Sequence, residues 1–350
     1  MSHLTTSSEL GARPALAREP VLATRRLSAA SWLAIAFFAG ALLFGAVALA
    51  MGDVFYLRLA TEALIFGGLA LSVDLLLGRV GLLPLGQALF FGLGAYVSAL
   101  VLKHWVDSLW LALGVTLVFS ALAGLIGGLI AIRSKGVYFA LISFGLAQVV
   151  SKFVYNTREL GASDGIIGVP AASLAPGVTS GTPEVFFLLV LSFIGALYLG
   201  LRYLMNTPMG RQLDAIRINE HRVSFLGVDA WRYKLGAFVA AACIAGLSGA
   251  LYPMLRGFVS PELMFFQVSG NAVINVIVGG TGTLIGPLYG SAILTGLRSV
   301  VGSFTAHHHI VIGVMFVVVV IVMPRGLIGY TTPLLQRWLD RRQAPAKERP

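Results

Sequence analysis

Ten apolar runs account for most of this chain, at residues 30 to 51, 57 to 78, 84 to 102, 109 to 132, 137 to 155, 184 to 204, 235 to 256, 264 to 280, 283 to 301 and 307 to 323. A helix needs about 20 residues to cross a hydrocarbon core of about 30 Å. In lipid the backbone must satisfy its own hydrogen bonds, so repeated runs of this length lead to a bundle of membrane-spanning helices. Composition agrees: 57% of the 350 residues are hydrophobic and 11% charged, which excludes an ordinary soluble domain. The expected fold class is all-α, a polytopic transmembrane helical bundle of about ten spans, with about eight to eleven as the range. The eighth run is short and ends in Gly279-Gly280, the mark of a broken or re-entrant helix.

Ten spans put both termini on one side, and the basic residues say which. With the N-terminus inside, the inner segments hold 19 of the 25 Lys and Arg residues (Arg13 through Arg26, Arg79, Arg133, Lys135, Arg202 through Lys234, and the tail from Arg325), leaving 6 outside. That asymmetry is the positive-inside pattern. It explains the formal charge of +10 by topology and argues against a nucleic-acid partner. Residues 1 to 29 are polar and basic, but the run after them exceeds a signal-peptide core and lacks a small-residue cleavage site, so it reads as a retained first span. The single Cys243 offers no disulfide framework.

One inner segment is out of place among these runs: MGRQLDAIRINEHRVSFLGVDAWRYK, from Met209 to Lys234, with five basic and three acidic residues besides its histidine. Thr207-Pro208 offers an N-cap followed by proline at the first helical position, and Leu213, Ile216 and Val223 supply part of an apolar stripe. Asn219 can cap a second helix from Glu220 to Leu226, and Gly227 can end it in the left-handed conformation. The prediction is a helix, a break and a helix of about two turns lying outside the membrane.

The longest outer stretch, Asn156 to Pro183, is nearly uncharged and rich in Gly, Ser and Pro, a composition of turns. Within it Asp164-Gly165 is turn chemistry, expected to present Ile166 and Ile167 outward. Both a plain linker and a packed docking or gating segment fit. Small residues at helical spacing (Gly124 and Gly128, Gly246 and Ala250, Gly286 and Gly290) let helix backbones approach closely.

Catalytic chemistry is thin. There is no G-x-x-x-x-G-K-[ST], so ATP is not bound through a P-loop; the run GGTGTLIG at 279 to 286 lacks the lysine and reads as a tight turn. His307, His308 and His309 are contiguous, and neighbours on a helix point about 100° apart, so no metal site is expected. No serine, cysteine or carboxylate pair has a recognisable partner, so neither catalytic residues nor an intramembrane enzyme are expected. Asp74 lies one turn from the inner boundary, five residues before Arg79, and reads as a snorkelling or ion-paired structural carboxylate; an ion-coupled secondary transporter would instead titrate it. Gln87 and Asn275 are mid-span amides that can bond across helices or face a pathway.

Several local patterns converge on one family. GLLPLGQALFFGLGAYVSAL (81 to 100), RSKGVYFALISFGLAQVV (133 to 150), the segment from Met209 through the following span, GGTGTLIGPLYGSAIL and MPRGLIG resemble, in this order, the motifs of the branched-chain amino-acid ABC-transporter permeases. The resemblance runs from about 60 to 329 and is nearer the LivM-type subunit than its LivH-type partner, because of the N-E-x-x-x-x-x-L-G segment followed by Tyr-Lys. Pro84 stands where Ser is common and Asp74 where Asn is common, and His221, Arg222 and Val223 depart from the family's spacing before Gly227.

What the resemblance implies is a permease domain at 30–329 between basic cytoplasmic tails at 1–29 and 330–350, in the bacterial inner membrane, with a coupling segment at 205–234 and a periplasmic loop at 156–183. Its partners would be the lipid bilayer, a second permease subunit of LivH type, two cytoplasmic ABC ATPase subunits and a periplasmic substrate-binding protein. Cofactors in this chain would be none, ATP and Mg residing in the ATPases. Arg217, Glu220, Arg222, Phe225, Leu226 and Gly227 would form the ATPase coupling helix, with Phe225 and Leu226 as apolar anchors and the two arginines as charged rim. The translocation pathway would run along Gly86, Gln87, Phe91, Gly92, Gly94, Tyr96, Tyr138, Gln148 and Asn275. Gly161, Asp164, Gly165 and Ile166 would form a periplasmic docking or gate element. The cargo would be branched-chain or related hydrophobic amino acids, with urea, short amides or aromatic acids as alternatives.

Overall fold

The computed structural model describes residues 29 to 175 and 178 to 304, with short pieces between 310 and 332. Residues 1–28, 333–350 and the His307 to His309 run lie outside the described residues, and the tenth apolar run is described only in pieces. The described chain is all-α apart from four very short strands. In order, it comprises α1 (Ala29–Ala50), α2 (Val54–Asp74), α3 (Gln87–His104), α4 (Leu109–Ala131), α5 (Val137–Asn156), β1 (Ile166–Ile167), β2 (Ser173–Ala175), β3 (Val178–Thr179) and α6 (Pro183–Asn206). It continues with α7 (Pro208–Ile218), α8 (Glu220–Phe225), α9 (Ala230–Ala250), α10 (Tyr252–Arg256), β4 (Phe258–Val259), α11 (Phe266–Gly279) and α12 (Gly286–Phe304). Six of these stretches are long and apolar enough to cross a membrane: α1, α2 with its extension, α4, α5, α6, and α9 with α10.

At the centre stands α2, with α1, α6, α9, α11 and α12 packed around it. From Gly67 to Asp74 every residue is buried, and two glycines make this possible. A methyl group on Gly67 would meet Leu288, and one on Gly68 would meet Ser248, so α12 and α9 close on α2 at helix-to-helix distance. A second seam joins α9 to α3 and α4. There a Cβ on Gly94 would run into the Gly246 carbonyl, and one on Gly124 into Ala242. These small residues are therefore contact points between backbones. Two of the apolar runs begin or end differently from the sequence expectation. Residues 81 to 86 are not helical, because Gly81 takes φ +81° and Pro84 and Gly86 interrupt, so the third helix starts at Gln87 rather than 84. The seventh run bends at Leu251-Tyr252 just before Pro253, giving α9 and α10. The eighth is a 14-residue helix, too short to span, as its Gly-Gly end suggested.

Contacts sort by end. At one end, which we term the basic end, Arg79 pairs with Asp214, Lys135 and Lys234 with Glu220, and Asp74 with the turn before α12. At the other, the loop end, Lys103 donates to the Ile167 carbonyl, Trp110 to that of Leu174, and β1 pairs antiparallel with β4.

Candidate functional site

At the basic end the charged segment folds as the sequence punctuation predicts. Proline opens α7, and Asn219 opens α8 by accepting a hydrogen bond from the Arg222 N–H at 3.0 Å. Gly227 follows α8 with φ +79°, the left-handed value that lets the chain turn away. Both helices are pinned from below. Leu213 and Ile216 of α7 are buried, and Ile216 and Val223 cluster with Ala230 at the start of α9. Glu220 reaches the Lys234 ammonium at 2.9 Å and the Lys135 ammonium at 3.5 Å, tying α8 to α9 and to the α4–α5 turn. Burial pushes the Glu220 carboxyl up, but Lys234, with help from Lys135, outweighs it and holds the group below its usual range.

What this leaves uncovered is apolar. Phe225 is 90% exposed, Leu226 77% and Ile218 84%, with exposed Arg222 beside them. Arg217, exposed at the end of α7, donates its guanidinium to the Gly78 carbonyl and lies over Gly81, so it latches α7 to the end of α2. Arg79 reinforces the latch through Asp214 at 3.5 Å.

The end of α2 continues as a π-helical turn from Leu75 to Val80 and meets the loop between α11 and α12. Asp74, fully buried, accepts from the Gly282 N–H at 2.6 Å and the Leu284 N–H at 3.0 Å, one to each oxygen. The carboxylate is thus a clamp on a turn whose Gly280, Gly282 and Leu284 all take positive φ. It is neither snorkelling nor directly ion-paired, which corrects the sequence expectation: Arg79, the expected partner, is drawn to Asp214 instead.

Inside the bundle the expected pathway residues separate. Gln87, Phe91 and Tyr96 are buried in α3, with Phe91 stacked on Phe66 at 5.5 Å between ring centres. Gly92 lies against Met264 and Gly94 against Gly246. Gly86 abuts the Ser143 carbonyl of α5, the Leu85 N–H donates to Ser143 Oγ, and the Ala88 N–H donates to Ser269 Oγ of α11. The start of α3 is therefore a junction of three helices, entered by the non-helical segment 81–86, and both amide atoms of buried Gln87 lack a partner among the described residues. Asn275 is buried under Gly290, Gln148 is half-buried, and Tyr138 is 73% exposed at the start of α5, away from the α3 core.

At the loop end, Gly161 and Gly165 take φ +85° and +74°, as turn residues. Asp164 accepts from the Ser163 hydroxyl at 3.1 Å. Of the two isoleucines expected to point outward, Ile166 is buried opposite Val259 and only Ile167 is exposed. Sequence reasoning also missed four charged residues that converge nearby: Arg58, Glu62, Arg256 and Arg298 line one cavity between α2, α10 and α12. The available signal was their presence in or beside apolar runs.

The family described as branched-chain amino acid transport system, permease component, matches residues 55–320. The chain is 29% identical over 301 residues to the high-affinity branched-chain amino acid transport system permease protein LivM of Escherichia coli, covering 79% of this chain and 71% of that one. It is 22% identical to the probable branched-chain amino acid transport permease protein LivH of Methanocaldococcus jannaschii, covering 78% of this chain and 91% of that one. With the ribose import permease protein RbsC of Haemophilus influenzae it shares 23% identity over 55% of this chain and 60% of that one. No solved structure matches it.

Proposed function

Because the chain belongs to the branched-chain amino acid transport permease family and is a multi-pass membrane protein, we propose that it is the permease subunit of an ATP-driven importer for branched-chain or related hydrophobic amino acids. In this reading it works in the bacterial inner membrane with ten spans and both termini in the cytoplasm, beside a LivH-like second permease. Two cytoplasmic ATPases hold α8, and a binding protein delivers solute at the loop end. The observation that carries the reading is α8 itself. A short capped helix, fixed from below by Glu220 and Val223, holds Phe225 and Leu226 almost fully out of the protein, and an apolar pair kept in that position fits a cleft in another chain.

Movement at such a dock has a rigid route inward. Arg217 and Arg79 join α7 to the end of α2, and Asp74 joins that end to the α11–α12 turn, so displacement of α7 and α8 acts on the central helix and on two of its neighbours together. This is the coupling that alternating access between two rigid arrangements requires. The pathway is best sought at the start of α3, where a non-helical segment interrupts the helices and Gln87 has no partner among the described residues, the kind of irregular backbone that lines solute sites in transporters. The test is Phe225→Asp. Loss of co-purification with the ATPases, in a variant that still inserts and melts like the parent, is the expected result; retained association and uptake would sink the assignment of α8 as the dock.

A further inference from the structure

The charge distribution leaves six basic residues on the loop-end side, and three of them, Arg58, Arg256 and Arg298, line a single cavity of about 520 Å³. Such convergence calls for a cause. Arginine in the outer half of a membrane helix runs against the positive-inside pattern and is costly unless the group faces water or an anion. One face of α2 supplies Arg58 and Glu62, at i and i+4; one face of α12 supplies Arg298 with Thr295 and Ser299. The two helices are locked together just beneath, where Ser291 Oγ donates to the Ala63 carbonyl at 2.8 Å and Leu288 packs on Gly67. Both arginines thus project from rigid elements whose spacing is fixed.

Glu62 is the only acid among the lining residues, and Arg256 already occupies it at 2.6 Å. Three guanidinium groups against one carboxylate leave a surplus of two positive charges, held by Arg58 and Arg298. Apart from Thr295 and Ser299 the rest of the wall is apolar: Phe66, stacked on Phe91 and edge-on to Tyr252, with Leu59, Leu255, Phe55 and Phe258. A cavity of this size, with a few convergent polar groups on apolar walls, has the form of a small-molecule site. Guanidinium pairs select oxyanions, which they grip with two parallel hydrogen bonds.

We propose that this cavity binds the oxyanion head of an amphipathic anion between Arg58 and Arg298, with its apolar tail against Phe66 and Leu255. The head is the carboxylate of an apolar solute or the phosphate of a bilayer lipid, both of which reach this end of the bundle. The inference does not depend on ATPase coupling through α8. It is tested on the full-length chain in nanodiscs of phosphatidylcholine. One arm titrates L-leucine, hexanoate and leucinamide by calorimetry; the other adds phosphatidylglycerol and measures its retention by native mass spectrometry. Binding of leucine or hexanoate but not leucinamide assigns the site to a carboxylate solute, and retention of phosphatidylglycerol assigns it to lipid. In either case Arg58→Gln and Arg298→Gln should weaken the bound anion roughly tenfold or more, while melting without ligand stays unchanged. Absence of binding in both arms, or binding indifferent to both substitutions, overturns the proposal.

Discussion

Replacing Asp74 separates a structural clamp from a proton carrier. Its two oxygens each accept one backbone N–H, from Gly282 and Leu284, and no water-exposed surface remains on the residue. Asp74→Ala leaves both donors without an acceptor. A buried unsatisfied donor costs about 1–3 kcal/mol, fully felt at buried Leu284 and less at half-buried Gly282, so a loss of about 2–4 kcal/mol is expected. Asp74→Asn keeps one acceptor but sets its NH2 against the other N–H, for about 1–3 kcal/mol. Gly78→Ala attacks the same knot by crowding rather than by removing an acceptor, because the new methyl meets both the Asp74 carboxylate and the Gly282 backbone. Melting of the purified protein should therefore fall in Asp74→Ala at least as far as in Asp74→Asn, with Gly78→Ala also lowered. Uptake per folded molecule in Asp74→Asn should keep its pH profile. A variant that melts like the parent yet loses uptake, or shifts its pH optimum, would refute the clamp and point to titration during turnover.

Three further outcomes follow from the same geometry. Glu220→Gln removes the carboxylate from beside the nearly buried Lys234 and should loosen α8 by about 2 kcal/mol, seen as faster proteolysis between Ile218 and Asp229. Since Glu220 titrates below its usual 4.5, its contribution is complete above that value and is lost only as pH falls through the lower folded value; proteolysis of the parent should be flat between about pH 5 and 8. Gly94→Ala drives a methyl into the Gly246 backbone and should cost at least about 1–3 kcal/mol in melting, whereas Gly145→Ala on α5, with open space around it, should be neutral or stabilising. Gly165→Val puts a β-branched residue at φ +74° and into the Val259 carbonyl, undoing the β1–β4 pairing; uptake should then need more binding protein for half-saturation, while an unchanged curve leaves the loop as a linker.

Local signals carried the parts of the fold that local chemistry decides. Run length located the six helices that are long and apolar enough to cross a membrane among the described residues, and Pro208, Asn219 and Gly227 located α7 and α8 almost to the residue, because capping depends only on neighbours within a turn. The late start of α3 was written in Gly81, Pro84 and Gly86, but hydropathy scores an irregular apolar segment like a helical one. Nor could apolarity say that α2 is central: a helix facing lipid and a helix facing helices are equally hydrophobic, and adjacent Gly67 and Gly68 were the better clue. The burial of Ile166 depends on Val259, far along the chain, and the arginine cavity depends on three separate elements meeting. Such tertiary partnerships leave no periodic trace in a single sequence. The hydrogen bond from Arg217 to the Gly78 carbonyl is of the same kind, since its acceptor lies far along the chain.

The central claim, that this permease is driven through α8 by ATPases, meets its most direct test in proteoliposomes holding this chain with a LivH-type permease, the ATPases and the binding protein. Leucine uptake should require ATP on the α8 side, persist when proton and sodium gradients are collapsed, and disappear with Phe225→Asp. Uptake by this chain alone, driven by an ion gradient and indifferent to ATP and to Phe225→Asp, would contradict it.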